Sequence, residues 1–161
     1  MAARQVSFGI SVTPLAQAYP QIVAQVLAAE RVGLELVGIQ DHPYQRRFLD
    51  TFALIADLLA RTERMTFFPD VANLPLRGPV MIAKAAVSLD VMSGGRFELG
   101  IGAGVFWDAV VGMGGRRREP GESIDALEEA IGIIRGAFDG ERVVRTAGRY
   151  YPVPGYPPGP P

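Results

Sequence analysis

The sequence predicts an α/β protein built on a parallel sheet covered by helices. Strand-like and helix-like segments alternate in strict order, four units in all. The strand segments are short and largely apolar, the first alternating apolar with small residues, which suits a sheet covered by helices. The helix segments repeat their apolar residues at spacings of three and four. Two architectures use this pattern, the open doubly wound sheet and the closed eight-unit barrel. A barrel takes about 250 residues, so four units are half of one.

The first strand is Val6 to Val12, stopped by Thr13-Pro14. A helix follows over Pro20 to Val32, with Ile22, Val23, Val26 and Leu27 on one face and Gly33 ending it. Leu36 to Gln40 is the second strand and runs into Asp41-His42-Pro43. Phe52, Ile55 and Leu59 recur at helical spacing within Leu49 to Arg61. The third strand, Met65 to Phe68, meets Pro69 and an irregular stretch, Asp70 to Arg77. Pro79 suits the first turn of a helix reaching Ser93, and Gly94-Gly95 closes it, because a left-handed last residue is cheap for glycine. Arg96 to Ile101 is the fourth strand. A glycine-rich loop leads to the most regular helix, Ser123 to Phe138, and Glu141 to Tyr151 reads as a hairpin. Six prolines and two glycines in the last ten residues read as a linker or loose end outside the core.

Composition narrows the function classes. The 161 residues are 48% hydrophobic and 20% charged, enough to bury a core without staples. A net charge of −1 supplies no field for gripping nucleic acid. The chain has no cysteine, which excludes a disulfide scaffold, a zinc finger and a thiol nucleophile, and a cytoplasmic location is expected. The uncharged run from Gln5 to Ala29 is broken by Pro14, Pro20 and three glutamines, too polar for a bilayer span or an export signal. One histidine and scattered carboxylates lack metal-ligand spacing.

In parallel α/β folds chemistry gathers where strands end. After the second strand stands Asp41-His42, with the chain's one histidine. An imidazole there is either a loop residue packed under Pro43 and Tyr44 or a proton-handling group oriented by Asp41. After the third strand come Asp70, Val71, Ala72 and Asn73. Asn73 offers an amide to a heterocycle edge, or builds an ordinary Asn-Pro turn. After the fourth strand, Gly100-Ile101-Gly102-Ala103-Gly104 lets a flat or phosphorylated ligand approach the backbone, or serves close packing. It matches a dinucleotide fingerprint poorly, since Val105 replaces the third glycine. Phe106 and Trp107 wall a pocket or join the core. Arg116-Arg117-Arg118 holds an anionic tail or forms a solvated turn.

The run from Ala83 to Gly104 (AKAAVSLDVMSGGRFELGIGAG) closely resembles the signature of the bacterial luciferase-like flavin and deazaflavin oxidoreductases. Asn73-Leu74-Pro75-Leu76-Arg77-Gly78-Pro79 and Gly148-Arg149-Tyr150-Tyr151 match further stretches of that family. The resemblance implies a TIM-like (β/α)8 barrel, with residues 1–151 forming its N-terminal half and 152–161 a linker or truncated end. It implies coenzyme F-420, a deazaflavin hydride carrier, through the Asp41-His42 pair, with FMN as the alternative. His42 and Asp41 would be catalytic. Asp70, Val71, Ala72 and Asn73 would support one ring face through a bulge holding a non-prolyl cis peptide, and Gly102 and Gly104 would complete the cofactor site. Phe106 and Trp107 would border a small-molecule substrate. Sugar-phosphate dehydrogenases of this branch carry a glutamate where Val105 stands, which argues against that reaction. A half barrel leaves strand edges and apolar surface open, so self-association or a missing C-terminal half is expected.

Overall fold

The computed structural model describes residues 6–159. Strands β1 (Gly9–Val12), β2 (Leu36–Ile39) and β3 (Thr66–Pro69) pair side by side in parallel, in the order β1-β2-β3. Helices α1 (Tyr19–Arg31) and α2 (Thr51–Arg61) make the crossovers between them. A doubly wound sheet flanks β1 on both sides within its first four strands; here β1 is an edge and the fourth strand lies beyond β3, through Phe97 against Phe67, as in a barrel wall. That overturns the doubly wound nucleotide-binding alternative.

The register puts Ile10, Val37 and Phe67 in one row and Val12, Ile39 and Pro69 in the next. These rows meet Ile22 and Val26 of α1 and Ile55 and Leu58 of α2 in the core. Phe67 is fully buried, a contribution of about 1.5–3 kcal/mol from its apolar surface. The opposite face carries Ser11, Gly38 and Phe68 in register and is only partly covered.

Beyond β3 the expected irregular stretch, Asp70 to Arg77, holds two short elements. Ala72–Asn73 is a two-residue strand, β4, and Leu74–Arg77 a single helical turn, α3. Helix α4 spans Pro79–Ser93, and Gly94 closes it in the left-handed region at φ 67°. The fourth strand is broken rather than continuous from Arg96 to Ile101. Phe97 bridges Phe67, and pairing resumes only at β5 (Ile101–Gly102), against β4. Between them Gly100 lies so close to β3 that a Cβ there would sit 2.4 Å from the Pro69 carbonyl oxygen.

Three further differences are local. The glycine-rich loop holds a short helix, α5 (Trp107–Gly112). Helix α6 begins at Pro120, three residues before the expected Ser123, and ends at Phe138. Pro120 occupies its first turn, and the Glu122 carboxylate accepts the Glu119 backbone N–H at 3.2 Å. The hairpin pairs β6 (Val144–Thr146) with β7 (Val153–Tyr156), so the proline-rich end is partly a strand with Val153 buried. Pro154 is tolerated because an edge strand need not donate every N–H.

Arginine 96 stitches the end of the sheet opposite these loops. Its guanidinium donates to the carbonyls of Leu59, Met65 and Ser93 at 3.0, 3.1 and 3.0 Å. Nearby, the Glu30 carboxylate accepts the backbone N–H groups of Glu63, Arg64 and Met65. No described helix is long and apolar enough to cross a membrane.

Candidate active site

The C-terminal ends of β2, β3 and the fourth strand surround a cavity of about 330 Å³. Asp41, His42, Asp70, Val71, Ala72, Asn73, Gly102 and Gly104 all line it, together with Tyr44, Ala103 and Val105. Eight of the ten residues singled out in the sequence therefore meet at one place. Phe106 and Trp107 stand beside it. The Phe106 ring meets His42 edge-on at 5.6 Å, and Trp107 lies against Gly104 at the start of α5.

The floor is the turn after β3, where the Asp70–Val71 peptide is cis. It falls within the stretch where the resemblance implies such a bond. Val71 lies against Gly102, on which a Cβ would come within 2.5 Å of it. Gly104 adopts φ +97°, and a Cβ there would also reach within 2.6 Å of Pro75. Both positions need glycine, for space at Gly102 and for space and backbone angle at Gly104. The space left by the missing Cβ atoms is filled by Val71 at Gly102 and by Pro75 and Trp107 at Gly104.

The polar side of the cavity depends on Arg77, which no local sequence signal marked. Asp41 is 2% exposed, a costly place for a carboxylate without partners. Arg77 supplies them: Nε reaches Oδ2 and Nη2 reaches Oδ1 of Asp41, both at 2.7 Å. The Asn73 backbone N–H adds a third donor at 2.8 Å. Nη2 of Arg77 also donates to Asp50 at 2.6 Å, and the guanidinium lies 4.6 Å from the centre of the Phe52 ring. Burial alone would lower the pKa of Arg77, but the two carboxylates outweigh it and hold the group above its ordinary value. Asp50 caps α2 by accepting the Ala53 N–H at 3.0 Å. One guanidinium thus ties the loop after β2, the turn after β3 and the start of α2 together.

Asp41 thus accepts three hydrogen bonds, two at Oδ2 and one at Oδ1. His42 is differently placed, with Nδ1 2.7 Å from the Tyr44 hydroxyl. Burial, reinforced by the Asp41 charge, raises the Tyr44 phenol above its ordinary pKa. Asn73 builds the local turn and also faces the cavity. Its side-chain oxygen caps α3 by accepting the Leu76 N–H at 3.3 Å, and the residue lines the cavity. The basic turn lies outside the cavity: Arg117 pairs with Asp108, and Arg118 donates to the Tyr151 hydroxyl at 2.8 Å. Among the described residues no group of three or more acidic or histidine side chains stands close enough to hold a metal.

Comparison with known proteins shows the family and the fold. A family model described as luciferase-like monooxygenase matches residues 5–161. An uncharacterized protein of Mycobacterium tuberculosis is 36% identical over 107 residues, 66% of this chain and 36% of its own length. The F-420-dependent glucose-6-phosphate dehydrogenase of Intrasporangium calvum is 33% identical over 139 residues, 81% of this chain and 41% of its own length. Among solved structures, an F-420-dependent secondary alcohol dehydrogenase in complex with an F-420–acetone adduct superposes with a TM-score of 0.84 at 20% identity. That match covers 96% of this chain and 50% of the other. The FMN-bound oxygenating constituent of 3,6-diketocamphane monooxygenase from Pseudomonas putida gives 0.81 at 24% identity, over 96% and 44%. The solved neighbours have the TIM-like barrel fold, and the chain spans about half their length and less than half that of the curated relatives. By the family model and by its fold, the chain belongs to the luciferase-like monooxygenase family.

Proposed function

We propose that this chain supplies the ring-binding half of an oxidoreductase that moves hydride between coenzyme F-420 and an organic substrate. The observation that carries the reading is the single cavity joining His42 to the Val71 floor and the Gly102–Gly104 wall. The two glycines let Val71, Pro75 and Trp107 pack closely at the edge of the cavity, where a flat tricyclic ring would rest on Val71. When bound, the deazaflavin supplies a hydride donor or acceptor at its central ring. The turn from Asp70 to Asn73 supports one ring face, and Gly102 and Gly104 line the cavity beside it. His42 is the catalytic group, able to hydrogen-bond a substrate oxygen or the ring. Asp41 acts through position: bonded to Arg77 and the Asn73 N–H, it anchors the loop that carries His42. Phe106 and Trp107 border the substrate and exclude water. With Val105 in place of an acid and no free cation lining the cavity among the described residues, an uncharged substrate suits the site better than a sugar phosphate.

F-420 is preferred over FMN because of the Asp41-His42 pair. Titrating the chain, and a version completed with a second half, against both cofactors by fluorescence tests this. Binding of F-420 to the completed protein is the expected result; binding of neither cofactor would sink the reading.

A second reading concerns assembly. The described chain has an open edge at β1 and exposed Phe8, Val91, Met92 and Phe138. Here the chain is a half barrel that needs a partner half, either a C-terminal continuation or another chain, to bind cofactor. Residues 1–151 form that half, with β7 completing its hairpin, and its place is the cytoplasm.

A further inference from the structure

The chain has one histidine, and the carboxylate beside it does not orient it. The hydrogen bonds that Asp41 accepts come from Arg77 and the Asn73 N–H, and none from the imidazole. The partner of the ring is instead Tyr44, two residues on, whose hydroxyl lies 2.7 Å from Nδ1. A turn closed by the Gln45 N–H on the His42 carbonyl, at 2.9 Å, brings the two side chains together. Their rings are tilted by 36° at 5.4 Å, and Phe106 stands edge-on to both, at 5.6 and 6.1 Å. Phe48 closes a further side of the imidazole at 6.5 Å. Packing and hydrogen bond together leave the ring little freedom to turn over.

Which group donates follows from acidity and supply. The Tyr44 hydroxyl has Nδ1 as its sole partner among the described residues. A phenol is a far stronger acid than a neutral imidazole N–H, so the O–H donates and the Nδ1 lone pair accepts. Neutral imidazole carries one ring proton, and its location is set by the bond that the other nitrogen makes.

We propose that Tyr44 is a positioning residue that locks His42 into the tautomer protonated at Nε2, so that the ring's free nitrogen is a hydrogen-bond donor. The ligand class that completes the site is then an uncharged acceptor, such as a carbonyl oxygen of substrate or cofactor ring. Only that last step, the identity of the acceptor, rests on the function proposed above.

The single histidine makes the test clean. Long-range 15N–1H correlation of 15N-labelled protein at alkaline pH, with the ring neutral, reads the protonation of each ring nitrogen directly. The expected spectrum shows Nε2 protonated and Nδ1 as an acceptor, with one tautomer dominant. Tyr44→Phe keeps the ring stack and removes the hydroxyl, and should relax the ring toward the tautomer mixture of free histidine. Fluorotyrosine incorporation, which makes the phenol more acidic and leaves the fold intact, should move the Nδ1 shift further toward the strongly hydrogen-bonded limit. A ring protonated at Nδ1, or a tautomer ratio unchanged in Tyr44→Phe and in the fluorinated protein, would overturn the proposal. The measurement needs no cofactor. Failure to bind F-420 would leave the tautomer result standing, and an unlocked ring would leave cofactor binding untouched.

Discussion

Arg77 carries more of the site than any residue that lines it. Its side chain is 21% exposed while that of Asp41 is 1% exposed, so the pair is held largely away from water. Removing one partner of such a pair strands a buried charge. Arg77→Met should therefore cost about 3 kcal/mol, read as a lower denaturant midpoint with an unchanged slope. A loss under 1 kcal/mol would mean that water reaches Asp41 freely. The sequence offered Asp41 and His42 because they follow a strand, and that rule of position held for eight cavity residues. It could not offer Arg77. The guanidinium and its carboxylate are 36 residues apart, and nothing in the composition of either segment names the other.

At the scale of elements, legibility followed how local the cause was. Helices α1, α2 and α4 came out within two residues of their expected bounds, because apolar spacing, proline starts and glycine stops act within one segment. The fourth strand did not, since where it pairs depends on residues across the sheet, Phe67 for Phe97 and β4 for Ile101–Gly102. Strand β7 was missed for a related reason: prolines argue against a strand until an edge position makes their missing N–H harmless.

The clasp between α1 and the turn before β3 is another long-range feature, and it titrates. Burial alone would raise the Glu30 pKa, but the backbone N–H groups of Arg64, Glu63 and Met65 outweigh it and hold the carboxyl below its ordinary value. A carboxyl lowered on folding contributes stability above its unfolded pKa of about 4.3 and loses it as pH falls through the lower folded value. Asp50 has the same sign: burial pushes it up, while the Ala53 N–H and Arg77 pull it further down. The thermal midpoint should thus fall steeply from pH 5 to pH 3. Glu30→Gln should flatten that fall without removing it, and equal slopes in the two proteins would rule the clasp out as a contributor.

For the whole molecule, the open surfaces dominate. Phe8 is 66% exposed, Met92 74% and Phe138 48%, and a groove of about 430 Å³ runs past Val87, Val91, Phe97 and Phe138. Sedimentation velocity across a hundredfold range of concentration should show self-association of this chain. The association should vanish when a second half is supplied; a monodisperse monomer throughout would argue against the need for a partner half. Length alone suggested one comfortable domain, and it took the count of units to suggest half of an architecture.

The order of the strands has a bearing on how the molecule is made. Each strand of the wall pairs with the one synthesised just before it, so no early strand waits for a late segment to find its neighbour. Such a chain can fold by accretion as it leaves the ribosome, each new strand–helix unit docking on a template already in place. Protection against hydrogen exchange in nascent chains of increasing length should then spread from β2 toward β5, with the growing edge always the least protected strand.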